Sequence, residues 1–239
     1  MEPVDPVSFD GWTVLFDLDG TLVDTAPDLL GALNHVLGGL RLEPVPLSAV
    51  AEMIGHGARA MIETGVRTRG AVLNAADMDE AFERFIAHYV ANIAVHSRPF
   101  EGAVAALDIL RAQGALLTVC TNKRQDLSER LISALGLTSR FDLIVGADQV
   151  PNRKPHADHP LETIRRAGGV PEQSLFVGDS RTDERAARNA GLPFVFVTFG
   201  YEAESAEAIG ADVTISHYDQ LVPALSGLRD QAVASPRGR

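Results

Sequence analysis

The sequence has one cysteine in 239 residues, Cys120, which excludes an intramolecular disulfide framework and any metal site built from several thiolates. Lysine is almost as scarce: of 21 basic residues only Lys123 and Lys154 are lysines, the rest being arginines. Positive charge is short overall, with 21 Lys and Arg against 32 Asp and Glu, a formal net charge of −11 and a pI near 5.0. Nucleic-acid and anionic-membrane binders need a basic surface, so neither polyanion is an expected partner. No apolar run approaches the roughly 18 residues of a membrane span. Met1 to Asp10 carries acids and prolines and lacks the basic and apolar regions of a signal peptide, so a soluble cytoplasmic protein is expected. With 46% hydrophobic residues, the chain is long enough for one large domain or two modest ones.

Short apolar runs at Thr13 to Phe16, Leu116 to Cys120, Leu143 to Val145, Ser174 to Val177 and Phe194 to Val197 read as strands. Cys120, at the end of the second, reads as a buried strand thiol. From the second run onward the strands alternate with helical patterns: Val104, Leu107 and Leu110 stop at Gly114, Leu127, Leu131, Ile132 and Leu135 at Gly136, and Ala186, Ala187 and Ala190 at Gly191. Such alternation predicts an α/β, Rossmann-like parallel-sheet core covered on both faces. Residues 26–96 break the rhythm. Pro27 suits a first helical position ahead of Leu29, Leu30, Leu33, Leu37 and Leu40. Phe82, Phe85, Ile86, Tyr89, Val90 and Ile93 form a second stripe, read as helix–helix core packing. The expected organisation is a core of residues 1–25 and 97–228, an inserted all-helical cap of residues 26–96, and a flexible tail at 229–239.

Ligand groups of parallel α/β sheets gather beyond the C-terminal ends of the strands. Strand one runs into Asp17-Leu18-Asp19-Gly20-Thr21 and strand two into Thr121-Asn122-Lys123. Lys154-Pro155 follows strand three after a loop, and strand four runs into Gly178-Asp179-Ser180-Arg181-Thr182-Asp183. Asp17 and Asp19 project to the same side of extended backbone, and carboxylates crowded in this way need a cation. Every candidate ligand atom is an oxygen, which suits Mg²⁺ better than zinc. With Thr121 and Lys154 free for phosphate oxygens, the set describes phosphoryl transfer.

These four segments resemble the four motifs of the haloacid dehalogenase (HAD) superfamily, and the resemblance runs from about Trp12 to Leu225. It implies a Rossmann-like core with a helical cap inserted after strand one. It further implies Asp17 as the nucleophile that forms an aspartyl-phosphate, and Asp19 as the acid that protonates the leaving alkoxide and then activates water. Mg²⁺ is expected on Asp17, the backbone carbonyl of Asp19, and Asp179. Asp183 is expected as a ligand, directly or through water, or as an orienting partner. Thr121, the adjoining Asn122 and Lys154 are expected to bind phosphate.

Within the superfamily, Asp19 argues against halide displacement, and the absence of lysine between Ala26 and His96 excludes a cap Schiff base. Thr21, and the lack of a histidine soon after Asp24, favour a phosphatase over a sugar phosphomutase. Thr25 to Asn34, Ile54-Gly55-His56-Gly57-Ala58 and Phe199-Gly200-Tyr201 resemble segments of phosphoglycolate phosphatases. The implied activity is hydrolysis of a small phosphorylated substrate, 2-phosphoglycolate first, with sugar-acid phosphates, nucleotides or pyrophosphate as alternatives and a mutase or non-catalytic binding protein behind them. In the cap, Gly55 and Gly57 either let backbone amides approach an anion or link two helices; Arg59 either adds charge for a small carboxylate or is solvated; and His56 reads as a loop contact ahead of a catalyst. Lys154-Pro155-His156-Ala157 departs from the usual Lys-Pro-x-Pro, and Glu184 stands where an apolar residue is usual. A monomer and a homodimer are both compatible with the sequence.

Overall fold

The computed structural model describes residues 8–50, 53–55, 57–202 and 204–234. Its strands are β1 (Thr13–Phe16), β2 (Val23–Asp24), β3 (Arg98–Pro99), β4 (Leu116–Cys120), β5 (Leu143–Val145), β6 (Ser174–Gly178), β7 (Phe194–Val197) and β8 (Val213–Ile215). Six of them form one parallel sheet in the order β5-β4-β1-β6-β7-β8. The chain runs from β1 outward through β4 to β5, then returns to β6 and runs outward through β7 to β8. The strand order therefore reverses at β1, where parallel sheets open their ligand crevice.

The period of two along each strand sorts the core into two faces. Val14, Phe16, Leu117, Val119, Leu175, Val177, Val195 and Val197 pack on one side, against helices α5 (Ala103–Ala112), α6 (Gln125–Ala134) and α10 (Leu221–Ala234). Leu15, Cys120, Phe176, Phe194 and Phe196 pack on the other, against α7 (Asp158–Ala167), α8 (Arg181–Asn189) and α9 (Ala206–Ile209). Each fully buried side chain of this kind contributes about 1.5–3 kcal/mol. The predicted α/β, Rossmann-like sheet is present. Cys120 is buried as expected, and burial pushes its thiol up to about 12, so it is not a nucleophile.

Two expectations need correction. The sheet has a sixth strand, β8, whose Val-Thr-Ile is short and half-exposed because it closes an edge, so its apolar signal is weak. Residues 229–234, expected in a loose tail, are the last turns of α10; residues 235–239 lie outside the described residues.

Among the described residues, four helices lie between β2 and β3: α1 (Ala26–Gly39), α2 (Leu47–Val50), α3 (Ala58–Arg67) and α4 (Ala75–Ala91). Pro27 falls in the first turn of α1, one residue after the helix begins at Ala26, and the Asn74 side chain accepts from the Asp77 N–H to cap α4. Leu29, Leu33, Val36, Leu37, Met61, Ile62, Phe85 and Tyr89 give these helices a core of their own. The two chain crossings into and out of them run side by side, because β2 and β3 pair antiparallel, Val23 with Pro99 and Asp24 with Arg98. Asp28, buried at the start of α1, clasps the returning chain by accepting from the Ser97 N–H and hydroxyl, both at 2.7 Å, and from the His96 N–H.

Candidate active site

At the end of β1 the backbone turns through Gly20, whose φ of +85° is open to glycine and whose missing side chain leaves room for the Asp179 carboxylate. Gly200, at the end of the loop after β7, makes the same allowance from the other side. Asp179, at the end of β6, is 3% exposed; it accepts from the Thr21 hydroxyl (2.8 Å) and the Tyr201 N–H (2.8 Å). Asp183 lies one turn further on, in the first turn of α8, where it shares a reciprocal cap with Ser180. Asp17, Asp179 and Asp183 each offer an oxygen within 4.8 Å of the others.

Lys154 projects into this cluster. Its Nζ lies 2.8 Å from Asp17 Oδ1 and 2.6 Å from Asp183 Oδ1, and the residue is 2% exposed. One ammonium does not balance three carboxylates: at an effective dielectric of about 20, two unit charges this close repel by roughly 3 kcal/mol or more. Burial, only partly offset by Lys154 and reinforced by Asp183, pushes Asp17 up to about 6. Burial and the neighbouring Asp183 and Asp17 hold Asp179 well above the usual carboxylate range. Asp17 Oδ1, although ion-paired, is buried without a partner in hydrogen-bond geometry. An all-oxygen set with excess negative charge and an orphaned carboxylate oxygen fits a hard divalent cation.

Asp19 lines the same cavity as Asp17 but has partners of its own. It accepts from the Thr25 hydroxyl (2.8 Å) and lies 3.0 and 3.1 Å from Lys123 Nζ. Burial opposes the charge of Lys123, yet Asp19 outweighs it and raises the ammonium above the ordinary lysine value. Lys123 also sits 4.6 Å from the ring centroid of Tyr89 on α4.

Asp17, Asp19, Thr121, Asn122, Lys154 and Asp183 line one cavity of about 260 Å³ with Gly55, Gly57 and Arg59. Asp179 stands behind that wall. Asn122 acts as a strap as well: its Nδ2 donates to the Lys154 carbonyl at 3.0 Å, tying the end of β4 to the loop that presents the lysine. Arg59 reaches the cavity with its charge already engaged, because its guanidinium pairs with Asp79 at 2.7 Å and lies over Phe82. His56 lies outside the described residues. The α4 stripe divides in two: Phe85 and Tyr89 are core as expected, but Phe82 and Ile86 are only partly buried, and all four face the cavity.

Four contributors were missed in the motif reading. Lys123 has no motif role, and only the scarcity of lysine and its place at the end of the second predicted strand single it out. Thr25 opened a quoted segment and Tyr89 stood in the helical stripe, neither with a role at the site. Tyr201 stood in a quoted segment without a role; its hydroxyl donates to Asp24 (2.7 Å) and accepts from the Thr25 and Ala26 N–H groups, closing the start of α1.

The haloacid dehalogenase-like hydrolase family model matches residues 14–197, a span holding every carboxylate and lysine of this site. The chain belongs to the haloacid dehalogenase-like hydrolases. A phosphoglycolate phosphatase of Caulobacter vibrioides is 46% identical over 209 residues, covering 87% of this chain and 88% of the relative. One of Agrobacterium fabrum is 45% identical over 211 residues, covering 88% and 91%. The crystal structure of a predicted phosphoglycolate phosphatase from Haemophilus somnus superimposes with a TM-score of 0.85 at 27% identity, covering 91% of this chain and 99% of that one. Among the described residues no helix is long and apolar enough to cross a membrane.

Proposed function

We propose that this enzyme, a phosphatase of the haloacid dehalogenase-like family, hydrolyses 2-phosphoglycolate to glycolate and phosphate through an aspartyl-phosphate on Asp17, with residues 26–96 acting as a cap over the site. The observation that carries the reading is Lys154, an ammonium held between Asp17 and Asp183 inside an oxygen-only cluster. That ion pair favours the ionised Asp17 carboxylate against the burial that opposes it, and orients it for in-line attack on phosphorus. The P–O bond to the substrate breaks as the Asp17–P bond forms, and Asp19 delivers a proton to the departing alkoxide oxygen. Asp19 then takes a proton from water, whose oxygen attacks phosphorus and returns Asp17 as a carboxylate.

Asp17, Asp179 and Asp183, with the Asp19 carbonyl, are the groups to hold Mg²⁺, which when bound supplies charge neutralisation for the nucleophile and the phosphoryl oxygens. The Thr121 hydroxyl and the Lys154 ammonium stabilise the remaining charge on the transferring group. Phe82, Ile86 and Met53 keep bulk water from the reacting atoms. The substrate assignment is supported by the relatives named phosphoglycolate phosphatase at 46% and 45% identity. A phosphate-release assay with and without Mg²⁺, across 2-phosphoglycolate, sugar phosphates, nucleotides and pyrophosphate, tests it. The highest kcat/KM is expected on 2-phosphoglycolate; preference for another substrate, or isomerisation of a sugar phosphate without phosphate release, refutes the assignment.

A further inference from the structure

Lys123 stands where the end of β4, the Asp19 carboxylate and helix α4 meet. Its side chain is 6% exposed, it lies on the cavity wall, and its ammonium is fixed between Asp19 and the Tyr89 ring. Tyr89, on the same wall, has a buried hydroxyl with no hydrogen-bond partner. An unsatisfied buried hydroxyl is costly, and a ligand that supplies its acceptor removes the cost. Of the other cations of the wall, Lys154 already serves Asp17 and Asp183, and Arg59 and Arg124 are exposed to water in their pairs with Asp79 and Asp126, whereas Lys123 is buried beside Asp19.

In 2-phosphoglycolate one methylene group separates the ester oxygen from the carboxylate. When the ester oxygen is placed to receive the Asp19 proton, this short spacer leaves the substrate carboxylate within reach of Lys123, whose Nζ is 3.0 Å from Asp19. An ammonium has three donors and no fixed plane, so it serves two carboxylates at once. We propose that Lys123 and the Tyr89 hydroxyl form the subsite that recognises a carboxylate next to the scissile phosphate ester. The inference rests on the substrate reading given above. It assigns selection for an anionic leaving group to the end of β4 and the facing helix, rather than to Arg59.

The test compares kcat/KM for 2-phosphoglycolate and for ethyl phosphate, which carries a methyl group where the former has its carboxylate. Wild-type enzyme is expected to prefer 2-phosphoglycolate. Lys123→Met narrows that preference by about 10- to 100-fold, the range of a hydrogen bond to a charged group, and Tyr89→Phe by about 2- to 10-fold. Damage to the fold or to Asp19 lowers both activities together, so the ratio isolates recognition. A wild-type preference that survives unchanged in Lys123→Met overturns the inference alone. A wild-type enzyme with no preference overturns the substrate reading and the inference with it.

Discussion

Asp17, the proposed nucleophile, is held in a place that discourages ionisation, and its partners decide its state. Because burial pushes it up to about 6, protons and metal compete for it near neutral pH. Metal affinity is therefore predicted to rise as pH rises through about 6, measured by Mg²⁺ titration of the free protein; affinity independent of pH from 5 to 8 contradicts this. Asp17→Asn keeps the shape and removes the nucleophile, so kcat is predicted to fall by about 10⁴-fold or more with an unchanged circular-dichroism spectrum. His159 offers a stability test away from the reacting atoms. It is held neutral, its Nδ1 accepting from the Lys154 N–H and its Nε2 facing the Val145 carbonyl, and burial followed by Lys154 lowers it to about 4. Its folded pKa lies below the unfolded value of 6.5, so the unfolded chain binds more protons in that window. Stability is thus full above pH 6.5 and is lost as pH falls toward 4. The fall in Tm between those values should be shallower in His159→Gln than in wild type.

At the level of elements, the sites of greatest consequence are junctions. Asp28→Ala leaves the Ser97 N–H and hydroxyl unsatisfied where the chain returns to the sheet, and is predicted to cost about 2–3 kcal/mol in urea denaturation. Gly20→Ala places a Cβ against Asp179 at a positive φ, and is predicted to weaken metal binding, read as a raised Mg²⁺ requirement. Such junctions mark the limit of what the sequence reveals. Strands whose residues are apolar on both faces, such as Val14-Leu15-Phe16, declare themselves, and Asp17, Asp19, Lys154, Asp179 and Asp183 follow from the positions of strand ends. Edge strand β8 does not, since half its residues face outward. Asp28 and Tyr201 are equally silent, because their partners lie 69 and 177 residues away and depend on the finished fold. Lys123 is visible as a rarity at the end of the second predicted strand, but its pairing with Asp19 spans 104 residues and depends on the finished fold.

Across the whole molecule, an acidic protein acts on an anion by concentrating its few ammonium groups. Both lysines reach the same cavity, Lys154 beside Asp17 and Lys123 beside Asp19, while the helical layer adds apolar walls and no lysine. The three clustered carboxylates predict that chelation with EDTA abolishes turnover and that Mg²⁺ restores it. The most direct measurement is rapid acid quench of the enzyme turning over 2-phosphoglycolate with Mg²⁺, followed by mass spectrometry of its peptides. The account predicts a phosphoryl adduct on the peptide bearing Asp17, absent in Asp17→Asn. Phosphate release from 2-phosphoglycolate with no such adduct, or undiminished release by Asp17→Asn, would contradict it.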